Sequence, residues 1–407
     1  MRRVLVIGGG LAGLTAAIEA REAGAEVALL QAGQGVHHLF SGCIDLLAYP
    51  QPDGPAVENP LEAIARLAPE HPYAKIGGDA VVRAMVGFQR RVTEHGLTYL
   101  GDGRHQYRVL TAMGTLRLTG LTPLTMAVDP AQIDVVCSIG PYRNFSAGLV
   151  ADGLSRLTKK NVRTLAFEVA QGELDAMGLA AKLAEPAESA RFGDFLAREA
   201  RGLTVAIPAL LGLENAEEQK RSIESRFGGV LVEVPGLPPS IPGLRLMHAL
   251  RRIALDRGVR IAQNVRAVGA LDGGGVLRGV KVRVADLERE ETADAVVLAT
   301  GHLVTGGVVS TRGALREPVF DLPLSFPAGE SFFRSRFLDR AGHPALSCGV
   351  IVDSSLRPLR DQSPVYENLF ACGDILGGFD PYRERSGGGV ALSTATVAGR
   401  LAAGVAR

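Results

Sequence analysis

The chain has 407 residues, 44 Lys and Arg against 43 Asp and Glu, and a composition that is 46% hydrophobic and 21% charged. Balanced charge gives no general attraction to nucleic acid, and this apolar fraction supports a sizeable core and excludes a disordered composition. The length suits two domains, or one α/β unit with an insertion, and no run reaches the roughly 18 apolar residues of a membrane span.

The first element is an apolar strand from Val4 that runs into glycine, VLVIGGGLAG. Gly8, Gly10 and Gly13 fit G-x-G-x-x-G between this strand and a helix predicted over Leu14–Ala23, with a second strand over Ala25–Leu30. In that setting the first glycine permits the tight turn, the second lets backbone approach a pyrophosphate, and the third lets helix and strand pack closely. The free N–H groups and positive end of the helix then face an anion. Arg2 and Arg3 resemble the start of a secretory leader, but the apolar run is the nucleotide-binding strand itself.

The second strand is followed by Gln31 where an acidic residue usually binds the adenosine ribose. NAD is therefore poorly supported, and an adenosine-bearing flavin loses one contact. Next comes VHHLFSGCIDLLAY, which sets His37 and His38 beside a Ser41-Gly42 turn close to the nucleotide loop. A proline-rich connection, Pro50–Pro60, leads to a helix predicted over Ala80–Glu94. Residues 99–235 then change pattern. Short alternating runs at Tyr107–Leu110 and Thr115–Leu118 precede helical stretches at Phe145–Lys159 and Leu174–Arg201, which reads as an inserted α+β cap on the substrate side. Arg104, Arg108, Arg143, Lys159 and Lys160 there either meet an anionic substrate or face water, with water the simpler reading, and Glu214–Arg226 reads as a charged helix face. Cys43, Cys137, Cys348 and Cys372 are too scattered for redox pairs or local iron–sulfur ligation, and no metal site is expected.

The nucleotide unit resumes near residue 236 with LPPSIPGLRL, whose Pro242 suits a first helical turn. Strand-like runs at Val259–Ala262, Gly279–Val284 and Ala295–Ala299 follow, the last ending in Ala299-Thr300-Gly301, where small residues let backbone pass a ligand. After a connecting segment, 302–339, the strand of NLFACGD ends at Gly373-Asp374, and Gly387-Gly388-Gly389 opens a helix predicted over Val390–Ala403. In flavoproteins an Asp so placed usually bonds the ribityl or phosphate region, and such a helix start stabilises charge on a reduced flavin. The expected fold is a two-dinucleotide-binding, Rossmann-like α/β flavoprotein. Its discontinuous flavin domain comprises 1–98, 236–301 and 340–407, with 99–235 as the insertion.

Four stretches are more particular than glycine turns: HHLFSGCIDLL, LPPSIPGLRL, TRGALREPVFDLPL (Thr311–Leu324) and NLFACGDILGGFDPYRERSGGGVAL. Together they resemble the B subunit of anaerobic glycerol-3-phosphate dehydrogenase. The resemblance implies a complex that oxidises sn-glycerol 3-phosphate to dihydroxyacetone phosphate and passes electrons to quinone. It implies FMN in this subunit, an FAD-containing catalytic partner, and an iron–sulfur partner that holds the complex at the inner face of the cell membrane. The glycine turn by itself favours FAD, so FAD stands as the alternative. The expected cofactor residues are Gly8, Gly10, Gly13, Gln31, Ser41, Gly42, Ala299, Thr300, Gly301, Gly373, Asp374, Gly387, Gly388 and Gly389. A small anionic substrate needs a base and cations, for which His38, His302, Arg383 and Arg385 are the candidates. A stand-alone oxidoreductase of the fumarate reductase or amino-acid oxidase type, and a scaffold without chemistry, are the competing readings.

Overall fold

The computed structural model describes residues 1–169, 175–311, 313–326 and 331–405; Leu174, where the sequence predicts a helix to begin, and Arg312 of the Thr311–Leu324 stretch lie outside these. Strand β1 (Arg3–Ile7) leads through the glycine turn into α1 (Leu11–Glu22) and back to β2 (Glu26–Gln31). The helix starts at Leu11, ahead of the expected Leu14, because Gly10 serves as its N-cap and its carbonyl accepts the Leu14 N–H at 2.9 Å. Helix α2 (Gly78–Thr93) sets Arg91 against Glu19 and Glu22 of α1, so the buried Glu19 carboxylate is paired.

The middle of the chain adds a hairpin of β3 (Tyr107–Leu110) and β4 (Leu116–Thr119), then β5 (Val135–Gly140), α3 (Ala147–Thr158), β6 (Arg163–Glu168), α4 (Ala176–Ala184), α5 (Pro186–Glu199), β7 (Thr204–Pro208), α6 (Ala216–Phe227) and β8 (Val230–Val234). The single helical stretch expected to end at Arg201 is two helices. Pro186 lacks an N–H, so one helix stops before it and the next begins on it. Strands β5 to β8 form a four-stranded sheet in the order β8-β7-β5-β6 with every pairing parallel. The alternating runs did not announce this, since strands covered on both faces read as continuous apolar segments. Such a segment is VVCSI in β5.

The chain returns through α7 (Ile241–Asp256) to β9 (Arg260–Gln263), an antiparallel meander of β10 (Arg266–Asp272), β11 (Leu277–Val284) and β12 (Leu287–Thr292), then β13 (Ala295–Leu298), β14 (Leu369–Ala371) and the last helix, α8 (Gly387–Ala402). The main sheet runs β9-β2-β1-β13-β14, all parallel, with Leu5 flanked by Ala28 and Val296. This is the doubly wound order, in which ligands bind beyond the carboxyl ends of the central strands. Helices α1 and α8 cross closely because Gly399 has no side chain; a Cβ there would come within 2.4 Å of the Ala16 carbonyl oxygen. Among the described residues no helix is long and apolar enough to cross a membrane.

Candidate functional site

The site forms where β1, β13 and β14 end. Gly8 turns with φ +116°, and a Cβ there would stand 2.2 Å from the Ala299 carbonyl oxygen, while one on Gly13 would stand 1.7 Å from that of Gly8. These two glycines are required by packing, which brings the first turn of α1 against the end of β13. Gly10 differs: a Cβ built on it meets nothing within 4 Å, and no side chain caps α1. Its open side and the helix N–H groups are available to an anion.

The other two strand ends close on the same place. A Cβ on Gly373 (φ +77°) would lie 2.7 Å from that of Ala12, and one on Gly387 would lie 3.7 Å from Asp374 Oδ1. Asp374 Oδ1 and Thr300 Oγ1 are buried with no hydrogen-bond partner. Burial without compensation pushes the Asp374 carboxyl up to about 6. A buried acceptor left unmet is costly, so this pair marks a place for hydroxyl or amide donors that the chain does not supply. Gly388 and Gly389 press the start of α8 onto residues 44–45, where the Gly389 N–H donates to the Asp45 carbonyl at 2.8 Å.

Two of the four particular sequence stretches prove to be neighbours. The Ser240 N–H donates to the His38 carbonyl at 2.8 Å, a Cβ on Gly243 would lie 1.9 Å from the His37 carbonyl oxygen, and one on Gly42 (φ +83°) would lie 2.8 Å from Pro242 Cβ. The loop of residues 36–42 is thus laid on the start of α7. Ser41 Oγ accepts the Cys43 N–H at 3.3 Å. His38 is half-buried, whereas His37 is buried with both ring nitrogens unpartnered. Gln31 Oε1 accepts from Arg251 Nη1 at 3.2 Å, and Gln31 Nε2 donates to the Gly33 carbonyl.

Each of the four expected catalytic side chains has its own surroundings. Arg383 donates to the Tyr49 carbonyl and to Glu384 Oε1, and lines a cleft of about 570 Å³ with Arg334, His343 and Asp380. Arg385 sits in a left-handed conformation (φ 54°), its backbone N–H donating to the Pro381 carbonyl and its guanidinium making no hydrogen bond to a described residue. Burial and the Arg117 guanidinium lower its pKa, against the pull of Asp45 and Tyr49. Arg117 reaches in from β4 to clasp Asp45, with Nε 3.3 Å from Oδ1. His302 is buried, its Nε2 2.7 Å from the Cys348 carbonyl oxygen, and burial lowers its pKa. A carbonyl only accepts, so Nε2 carries the proton and Nδ1 the lone pair. Sequence reading set His37 beside the turn without giving it a role, and it missed Asp45, Arg117 and Arg251. Asp45 lies inside a stretch already singled out, but nothing around Arg117 marks it.

An open glycine at a helix start, orphaned Asp374 and Thr300, and a glycine-lined α8 start fit the phosphate, ribityl and ring portions of a flavin. Fold and site together define a flavoprotein of the two-dinucleotide-binding class, and a family model described as an FAD binding domain matches residues 3–390. The chain belongs to the B-subunit family of anaerobic glycerol-3-phosphate dehydrogenase. The B subunit of this enzyme in Vibrio cholerae is 32% identical over 96% of this chain and 94% of its own length, and that of Yersinia pseudotuberculosis is 33% identical over 96% of each. Among solved structures, 3-ketosteroid Δ1-dehydrogenase from Sterolibacterium denitrificans covers 99% of the chain and is itself covered fully, at 13% identity and a TM-score of 0.46. The family description names FAD; the FMN expected from the resemblance has no such support.

Proposed function

We propose that this chain is the flavin-holding subunit of an anaerobic glycerol-3-phosphate dehydrogenase, taking part in oxidation of sn-glycerol 3-phosphate to dihydroxyacetone phosphate. The observation that carries the flavin reading is the convergence of Gly10, Thr300, Asp374 and the start of α8 on one place with unmet polar groups. The substrate reading rests on relatives named for that activity at up to 33% identity over nearly the whole chain. A bound flavin supplies the two-electron acceptor. Gly10 and the start of α1 would hold its phosphate region, Thr300 and Asp374 its ribityl hydroxyls, and the α8 start its ring edge.

His302 is the stronger of the two candidate bases, because its Nδ1 lone pair is oriented by the Cys348 carbonyl. Arg385 is the stronger of the two candidate cations, since Arg383 is committed to Tyr49 and Glu384. Electrons leave through partner subunits, one with FAD and one with iron–sulfur clusters, which also hold the complex at the membrane and pass electrons to quinone. The test is to purify the chain with its natural partners and add glycerol 3-phosphate anaerobically. Bleaching of flavin absorbance that Arg385→Ala slows through a raised KM supports the reading, and a complex whose turnover ignores both Arg385→Ala and His302→Ala removes the chemistry from this site.

A second reading of the cofactor, FMN in place of FAD, is favoured by the Gln31–Arg251 contact. The side chain that would meet an adenosine ribose is an amide already engaged by a guanidinium, at the end where FMN would place nothing.

A further inference from the structure

His37 is 3% exposed, yet neither ring nitrogen has a hydrogen-bond partner. Its surroundings explain its position but not its chemistry. The ring packs edge-on to Phe40, with centroids 5.9 Å apart, and its backbone rests on Gly243 of α7. A Cβ built on Gly35 would stand 3.0 Å from His37 Nδ1 and 3.2 Å from Gly10 Cα. The imidazole edge and the backbone of the first glycine turn therefore both lie close to Gly35. Gly10 is itself the N-cap of the twelve-residue α1, whose first N–H groups no side chain caps.

We propose that His37 is a phosphate ligand of the bound cofactor, donating an N–H from its Nδ1 edge to a phosphate oxygen held over Gly10. The proposal rests on the flavin reading above and adds a side chain to what backbone alone would provide. Two features support it independently. A fully buried imidazole with no partner leaves unmet polar groups that cost stability unless a ligand completes them. Gly10, in turn, is the one glycine of the turn whose missing side chain is not required by packing. Nothing in the chain fixes the His37 tautomer, so a phosphate oxygen would select the form with hydrogen on the nitrogen facing it. His38, the neighbour singled out from sequence, is half-buried and meets α7 through its backbone carbonyl.

The experiment measures binding of riboflavin, FMN and FAD to the full chain by quenching of flavin fluorescence, for the natural protein, His37→Gln and His37→Leu. Gln retains an N–H donor and Leu fills similar space without one. Hydrogen bonds to charged groups predict that His37→Leu weakens FMN and FAD by about tenfold or more, with riboflavin changed by less than about twofold and His37→Gln recovering much of the loss. Equal weakening of riboflavin, or no loss for the phosphorylated flavins, would overturn the assignment while leaving the flavin site intact. Failure of the natural protein to bind any of the three flavins would overturn the flavin reading and this proposal with it. Cooperative melting of both apo variants is checked first, and if His37→Leu does not fold, the same comparison is made with His37→Gln and His37→Asn, whose shorter amide should bind FMN more weakly and riboflavin equally.

Discussion

Arg245 and Glu233 meet in full burial, with side chains 3% and 0% exposed: Nη1 lies 2.9 Å from Oε2 and Nη2 3.2 Å from Oε1. The guanidinium also donates to the Leu211 and Gly212 carbonyls, and Glu233 Oε1 accepts the Leu211 N–H. This pair joins α7, which supports the 36–42 loop, to β8 of the four-stranded sheet. Because charge and hydrogen bonds are both satisfied, its loss is felt at the join between the two sheets.

Removing one partner strands the other as an uncompensated buried charge. Arg245→Ala is expected to cost about 3–5 kcal/mol, and the double change Arg245→Met with Glu233→Leu should recover part of that, the buried charge being gone while the Leu211 and Gly212 backbone groups lose their partners. Urea titrations of the three proteins measure it; a double variant no more stable than the single one would refute the account.

Gly8 and Gly10 should separate folding from binding. Gly8→Ala puts a methyl group 2.2 Å from the Ala299 carbonyl oxygen at a φ of +116°, so little folded protein is expected. Gly10→Ala meets open space, so the apo chain should melt within a few degrees of the natural one, yet flavin content should fall away. Thermal melts and released flavin per chain decide both.

Asp374 makes the apo chain pH-dependent. Its carboxyl keeps a proton to about 6 when folded, against an ordinary 3.8. Between those values the folded state binds more protons, so stability is greatest below the window and falls as pH rises through it. Asp374→Asn cannot ionise, and its stability relative to the natural chain should improve by up to about 3 kcal/mol between pH 4 and pH 8. Unfolding free energies of the two apo proteins at both pH values provide the measurement; parallel pH profiles would count against it.

Gln31 tests the cofactor. If FMN is bound, Gln31→Ala leaves flavin content unchanged and no adenine is released with the flavin. If FAD is bound, Gln31→Glu should tighten it by about fivefold, the gain of a charge-assisted bond over a neutral one. Mass analysis of the released flavin separates the outcomes.

What the sequence determined by itself is local. Gly8, Gly10 and Gly13 between an apolar strand and a helix, Ala299-Thr300-Gly301 at a strand end, and Gly373-Asp374 before the glycine run at 387–389 are patterns of adjacent residues. Each encodes its own backbone path through φ, side-chain size and periodicity, and the order of strands and helices follows from them. Only the tertiary structure decided which side chains share a space. It buried His37 rather than His38, beside Gly35, and it gave Arg383 and Arg385 different partners despite their closeness in sequence. It brought Arg117 to Asp45, Arg251 to Gln31 and Arg245 to Glu233. Side-chain direction within a short turn, and ion pairs between distant segments, depend on how whole sheets and helices pack; hydrophobic periodicity records which face is buried, not which charged residue waits on the other side.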